Sequence, residues 1–198
     1  MREQAELSNA EKSQIEKNIR RSLIELLEKR PYKKINVSDI AAHADIARQT
    51  FYCYFRSKDE LLLSFMDEIY DEFYQDIEEF IAIDINSINM INEKIYTIWS
   101  RESRMAKKIL TAGLDAQIYS RFRRYVARGM GRTMIKLDLQ VIEPKLLEYY
   151  IDLVAGSTFH VMKHWIEDDM PYSPEEMSKI YIYFNNSDIM SAFSAPKL

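Results

Sequence analysis

Five side chains within seven residues carry groups that read a base edge or hold a phosphate: Arg48, Gln49, Thr50, Tyr52 and Tyr54. A guanidinium fork pairs bidentately with guanine and an amide with adenine, while hydroxyls bond to bases or phosphates. The interleaved Phe51 and Phe55 are apolar and suit an inward face. Lys58 follows at a helix start opened by Ser57, where an ammonium beside free backbone N–H groups suits a phosphate. The chemistry is thinner elsewhere. His160, His164 and Asp168 recur every fourth residue, a spacing that offers three metal ligands on one helical face. Ordinary hydrogen-bonding histidines are the plainer account, and no metal is expected. Cys53 lies between two tyrosines among basic neighbours, the setting of a redox thiol, or simply of a small, partly exposed residue. The helical wheel sets Arg123 near the apolar side with Met130 and Met134, as a ligand anchor, a snorkelling cation or half of a salt bridge. Gly129 and Gly131 frame the only GxG, which lacks the rest of a dinucleotide fingerprint. With no nucleophile–base pair or cofactor loop in view, neither an enzyme nor a cofactor is expected.

The elements that position these groups read as helices. Ser8 to Glu11 is a capping box, followed by Ile15, Ile19, Leu23 and Leu26 at helical spacing up to Pro31. Asn36 to Asp39 is a looser cap, with Ile35 and Ile40 placed as a hydrophobic staple, and a short helix fits 37–44. Asp45 suits a left-handed turn, and a second short helix fits 48–55. Ser57 to Glu60 is another capping box, opening a long helix to about 80 with one apolar and one acidic face. Residues 88–110 read as helical with a break near Arg101 and a stop at Gly113, and 118–137 as strongly amphipathic. Pro144 suits a first turn, after which Leu147, Ile151, Val154, Thr158, Val161 and Trp165 form an apolar seam. Ser173 to Glu176 caps a last helix to about Phe184. The fold expected is all-α.

Two short helices around a tight turn make a helix-turn-helix, whose second helix enters the DNA major groove. From Ile35 to Ala41 and from Ile46 to Leu61 the sequence resembles the TetR family of transcriptional regulators, and the segment Thr50-Phe-Tyr-Cys-Tyr-Phe55 resembles its recognition helix. The resemblance implies an N-terminal three-helix helix-turn-helix domain at 1–56 and a helical ligand-binding and dimerisation domain at 57–198. It implies DNA contacts at Ser38, Arg48, Gln49, Thr50, Tyr52, Tyr54 and Lys58. Asp45 stands where the family commonly has glycine, and Ala47 where it has a capping Ser or Thr, a cap whose loss costs about 1 kcal/mol.

From Ala155 to Met177 the chain also resembles TetR-type C-terminal domains of low-GC Gram-positive bacteria. That resemblance implies a four-helix dimer interface, and the seam from Leu147 to Trp165 fits it unless the chain's own core covers the stripe. Tyr96, Trp99, Tyr119, Phe122, Arg123, Met134, Phe159 and Met162 fall on helices that line the family's ligand cavity. The partners implied are a roughly palindromic double-stranded operator, a second copy of the chain and a small-molecule effector, with repression lifted by that effector. An alternative is a TetR-fold activator controlled by a protein, since dihydroxyacetone kinase operon activators resemble this chain around Arg48 to Tyr52 and use a kinase-like partner.

The composition bounds these expectations. The 198 residues carry 27 Lys+Arg against 31 Asp+Glu, a net charge of −4 that by itself argues against nucleic acid. Taken by segment, the charge is +4 over 1–58, −10 over 59–100, +8 over 101–136 and −6 over 137–198. A basic head on an acidic body suits a DNA reader, because only the contact surface must replace condensed counterions. Arg121, Arg124, Arg128, Arg132 and Lys136 form one stripe, most simply a solvated face answering the acidic helix that starts near 59. A single cysteine excludes an internal disulfide. No apolar run approaches the roughly 20 residues of a membrane span, so no membrane partner and a cytoplasmic setting are expected.

Overall fold

Helical punctuation, not strand alternation, dominates the sequence, and in the computed structural model every regular element among the residues it describes, 9–77, 85–136, 138 and 143–186, is a helix. α1 spans Asn9–Lys29 and buries Ile19, Leu23, Leu26 and Leu27. Its expected capping residue, Ser8, lies outside the described residues. The helix ends before Pro31, which disfavours helical backbone in the residue preceding it. A 3-10 turn at Tyr32–Lys34 leads to α2 (Val37–His43) and α3 (Arg48–Tyr54).

α4 runs from Lys58 to Ile77. Its start differs from the reciprocal box that the sequence predicts. The Ser57 hydroxyl accepts from the Glu60 N–H at 3.0 Å, but the Glu60 carboxylate accepts from Arg56 N–H at 2.6 Å, one residue before the cap. The extended backbone at Phe55 precedes this turn, and it is the Arg56 amide that the carboxylate reaches.

α5 (Ile85–Arg101) and α6 (Ser103–Leu110) are separated at Glu102, whose backbone (φ −92°, ψ 19°) leaves the helical region, as the expected break requires. Gly113, at φ 80°, turns the chain into α7 (Asp115–Lys136). α8 covers Pro144–Glu167, with proline in its first turn. α9 covers Pro174–Asn186, two residues beyond the end predicted at Phe184. Its cap is reciprocal: Ser173 N–H donates to Glu176 at 2.7 Å, and Glu176 N–H donates to the Ser173 hydroxyl at 3.2 Å.

The chain divides into two compact units, residues 1–66 and 67–198, with the division inside α4. In the first, α2 packs on both α1 and α3. In the second, α5 packs along α9 and α7 along α8, with α6 against α8. No helix among the described residues is long and apolar enough to cross a membrane.

Aromatic side chains fill the second unit. Tyr70 stacks on Tyr125 at 4.0 Å between ring centres, and meets Trp99 and Phe122 edge-on at 5.9 and 5.7 Å. Such pairs add about 0.5–1.5 kcal/mol each beyond their buried area. Gly129 lets α7 pass close to Tyr74, since a Cβ there would stand 3.2 Å from the ring.

Burial makes this core alkali-sensitive. It pushes the Tyr74 phenol up to about 12 and drives Tyr70, Tyr96 and Tyr125 further in the same direction, Asp67 adding to the rise at Tyr125. An acid raised by folding stabilises fully below its unfolded pKa of about 10 and loses that contribution as pH rises. The second unit is therefore expected to weaken as pH rises above about 10, where the buried phenols resist the ionisation that the unfolded chain undergoes. Tyrosinate absorbance should show a late step that coincides with loss of helical circular dichroism. A single titration near pH 10 with the helices intact would contradict this.

Candidate functional site

The helix-turn-helix is held by short-range chemistry. Asn36 and Asp39 form a full capping box, each N–H donating to the other's side chain at 2.9 and 3.0 Å. The Asn36 N–H holds the Asp39 carboxyl below its ordinary range, with the Arg30 guanidinium, 3.1 Å away, assisting. Asp45 takes up φ 54°, the left-handed turn predicted, and Ile46 N–H donates to Ala41 O at 3.0 Å to close it. Ala47 has the extended backbone of a helix cap but no side chain to cap with.

What orients α3 is its buried side. Phe51 is 0% exposed and packs against Phe55 at 5.9 Å, while the Arg20 guanidinium lies 5.4 Å from the rings of both Phe55 and Phe65. With Phe51 turned inward, Arg48, Gln49, Tyr52 and Cys53 are exposed and Thr50 and Tyr54 half-buried. Ser38 is exposed on the first turn of α2. Arg48 donates to the Tyr52 hydroxyl at 3.1 Å and lies over its ring at 5.6 Å, so the guanidinium and the phenol stand as one unit on the open face. Cys53 donates weakly to Gln49 O at 3.6 Å.

Lys58 stands differently. Its ammonium donates to Tyr32 O at 3.1 Å and Ile35 O at 2.7 Å and sits 4.2 Å above the Tyr32 ring. The Tyr32 hydroxyl donates to Asp59, and burial raises the phenol's pKa further than this bond does. In the free protein Lys58 and Asp59 thus anchor the start of α4 to the turn after α1.

In the second unit, Tyr96, Trp99, Phe122, Phe159 and Met162 are buried together, and Tyr119 and Met134 are half-buried. Arg123 sits apart from that core: its guanidinium pairs with Asp152 of α8, with 37% of the side chain exposed. On α8, Ile151, Thr158 and Trp165 are buried within the chain's own core, Leu147 and Val154 are half-buried, and Val161 is 38% exposed. The exposed apolar side chains of that helix form a neighbouring stripe, Leu146, Tyr149, Tyr150 and Leu153, each more than half exposed. His160 Nδ1–H donates to Gly156 O at 2.8 Å and His164 pairs with Asp168 at 3.4 Å. No group of three such residues stands together to hold a metal among the described residues.

The expected answer of the basic stripe to the acidic helix is met in a polar clamp between α4 and α7, whose individual partners sequence reasoning did not find. Asp67 takes both the Arg121 guanidinium and the Tyr125 hydroxyl, Asp71 pairs with Arg128 at 3.2 Å, and the Tyr74 hydroxyl donates to Tyr125 O. Arg128 and Arg132 both lie over the Tyr74 ring, at 5.2 and 5.3 Å. The signal was present as a basic stripe at i, i+4 spacing opposite acids at the same spacing, but spacing does not say which helices meet. The uncapped start of α3 gives a direct test. Ala47→Ser should raise stability by about 1 kcal/mol, read as a higher melting temperature; an unchanged or lower one would mean that the first-turn amides already have adequate partners.

Comparison with known proteins agrees with this geometry. Residues 19–65 match the family described as "Bacterial regulatory proteins, tetR family", and residues 86–187, more than half of the chain, match a "Transcriptional regulator C-terminal region". The HTH-type transcriptional regulator EthR of Mycobacterium tuberculosis is 47% identical over 47 residues, which are 24% of this chain. That match spans 22% of the length of EthR. Among solved structures, a TetR-family transcriptional regulator from Syntrophomonas wolfei has a TM-score of 0.62 at 16% identity, over 87% of this chain and 93% of that one. The regulator FadR from Bacillus subtilis, in complex with stearoyl-CoA, has a TM-score of 0.54 at 18% identity, over 87% and 98%. At these identities the structures speak for the fold, while the two family matches cover both units of the chain, which belongs to the TetR family of bacterial transcriptional regulators.

Proposed function

We propose that the protein is a homodimeric repressor that reads a roughly palindromic operator through α3 and is released by a small molecule bound in its second unit. The observation that carries the DNA-reading part is the division of α3 into a fully buried Phe51 and an open face of Arg48, Gln49 and Tyr52. Ser38, Thr50 and Tyr54 extend that face, and Lys58 joins it if phosphate replaces the carbonyls it now holds. The exposed stripe Leu146, Tyr149, Tyr150 and Leu153 suits burial against a second copy, alongside Leu147, Val154 and Val161. Two copies would set their recognition helices about one DNA turn apart. FadR, of the same fold, holds stearoyl-CoA, which supports a small-molecule effector here without naming it.

Release requires that the effector bind the non-operator conformation better. α4 is the physical means, because it begins in the DNA-reading unit and is gripped in the other by Arg121 and Tyr125 through Asp67. A shift of α7 is carried along that helix.

Gel shift or anisotropy with DNA from upstream of its own gene tests operator binding. Affinity should fall steeply with salt, and Arg48→Ala should cost about 1–3 kcal/mol and relax specificity at one base pair. Absent or salt-insensitive binding would remove the reading. The coupling has its own test. Asp67→Asn should destabilise the second unit by about 1–2 kcal/mol and change effector-free operator affinity. Glu72→Gln, at the exposed pair with Arg101, should change neither, and equal effects from both would deny Asp67 its role.

A further inference from the structure

Two turns of the first unit meet at the start of α4. The Lys58 ammonium donates to Tyr32 O at 3.1 Å and to Ile35 O at 2.7 Å, so the segment that leaves α3 lies against the 3-10 turn that leads into α2. Lys33 and Lys34 stand between those two carbonyls in the chain, and Arg56 stands two residues before Lys58. Lys33, Lys34 and Arg56 are all exposed.

The charges around this junction are unevenly matched. Arg20 is paired with Glu16, Arg21 with Glu25 and Arg30 with Asp39. The Asp59 carboxylate accepts from the Tyr32 hydroxyl, and that of Glu60 accepts from the Arg56 backbone N–H. Lys33, Lys34 and Arg56 form no ion pair among the described residues. At the junction Asp59 and Glu60 oppose Lys33, Lys34, Arg56 and Lys58, which leaves a net positive charge.

Position gives this excess a use. Ser38, exposed on the first turn of α2, follows Lys34 by four residues, and Tyr54, the last residue of α3, precedes Arg56 by two. The cations therefore border the helix-turn-helix where the chain enters it and where it leaves. A groove-reading helix lies between two sugar–phosphate strands, and contacts to them set register without reading sequence. Lysine is a point charge with rotatable donors, suited to phosphate oxygens more than to the planar edge of a base.

We infer that Lys33, Lys34 and Arg56 bind phosphates of the DNA backbone at the rim of the reading face, a set of contacts separate from the side chains on α3. The inference rests on the DNA reading proposed above and names the surface that supplies its sequence-independent part. Each phosphate neutralised releases condensed counterions, so each contact adds about 0.9 to the steepness of log affinity against log salt.

The test uses the full-length protein and anisotropy at several salt concentrations on two labelled duplexes, one from upstream of its own gene and one with the same composition in scrambled order. Lys33→Gln/Lys34→Gln and Arg56→Gln should each weaken binding to both duplexes by a common factor, leaving their ratio within about twofold of the parent's. The salt slope should become shallower by about 1 for each contact removed. Lys33→Arg/Lys34→Arg and Arg56→Lys should keep the parent slope, since the charge stays. Arg124→Gln, an equal loss of charge on the exposed side of α7, should also leave it unchanged. The inference is overturned if the lysine pair or Arg56 can be neutralised at the parent slope, if the loss is confined to one duplex, if the charge-conserving variants lose as much, or if Arg124→Gln does the same. Failure of the wider reading looks different. A parent with no preference between the duplexes, whose salt-steep binding is lost in the neutralised variants, keeps this surface and removes sequence reading. A preference that Arg48→Ala relaxes, at a slope the neutralised variants leave alone, keeps the reading and removes this surface. Absent or salt-insensitive binding by the parent removes both.

Discussion

Asp67 holds two donors with one carboxylate, the Arg121 guanidinium from one side and the Tyr125 hydroxyl from the other. It stands ten residues into the 20-residue α4, just past the point where the chain's first compact unit ends. The acidic face of that helix is a liability alone, since like charges four residues apart, such as Asp67 and Asp71, repel. The α7 stripe removes the liability, with Arg121 on Asp67 and Arg128 on Asp71, while Arg101 of α5 takes Glu72 through two bonds at 2.8 and 2.5 Å. The basic segment 101–136, unexplained by a DNA-reading account, thus has a structural occupation. Arg121, with 17% of its side chain exposed, is the member for which screening by solvent is weakest.

The reading helix depends on packing more than on its own ends. α3 is seven residues long and lacks a side-chain cap, so little in its local sequence would keep it helical. Phe51 buried against Phe55, with Arg20 spanning the rings of Phe55 and Phe65, supplies the order instead. The turn before it is fixed by an aspartate in left-handed backbone where glycine would be freer. The pair of Arg48 and Tyr52 then presents a partly ordered surface on the open face, which would lower the entropy lost in the proposed contact with DNA.

The second unit combines large rings with few polar partners. Its aromatic edges and stacks give that core its shape. The likeness to the compared TetR-family structures lies in the fold, at 16% and 18% identity.

Much was legible from residue order because it is local. Caps, prolines and left-handed turn residues act on neighbours within one turn, so Asn36, Asp45, Pro144 and Ser173 mark boundaries that the structure keeps. The alternation of Phe51 with Arg48, Gln49 and Tyr52 likewise divides a short helix into an inner and an outer face without reference to anything else. What the tertiary structure decided is which partner meets each face. Period 3.6 gives α8 a seam, but the neighbouring helices determine that Ile151, Thr158 and Trp165 are covered while Leu146, Tyr149 and Leu153 are not. Arg123 becomes a surface ion pair because Asp152 stands opposite, and Lys58 turns to two carbonyls because the chain bends after α1. Sequence spacing fixes directions within one helix; only packing sets the distances between helices on which charge pairing and donor satisfaction depend.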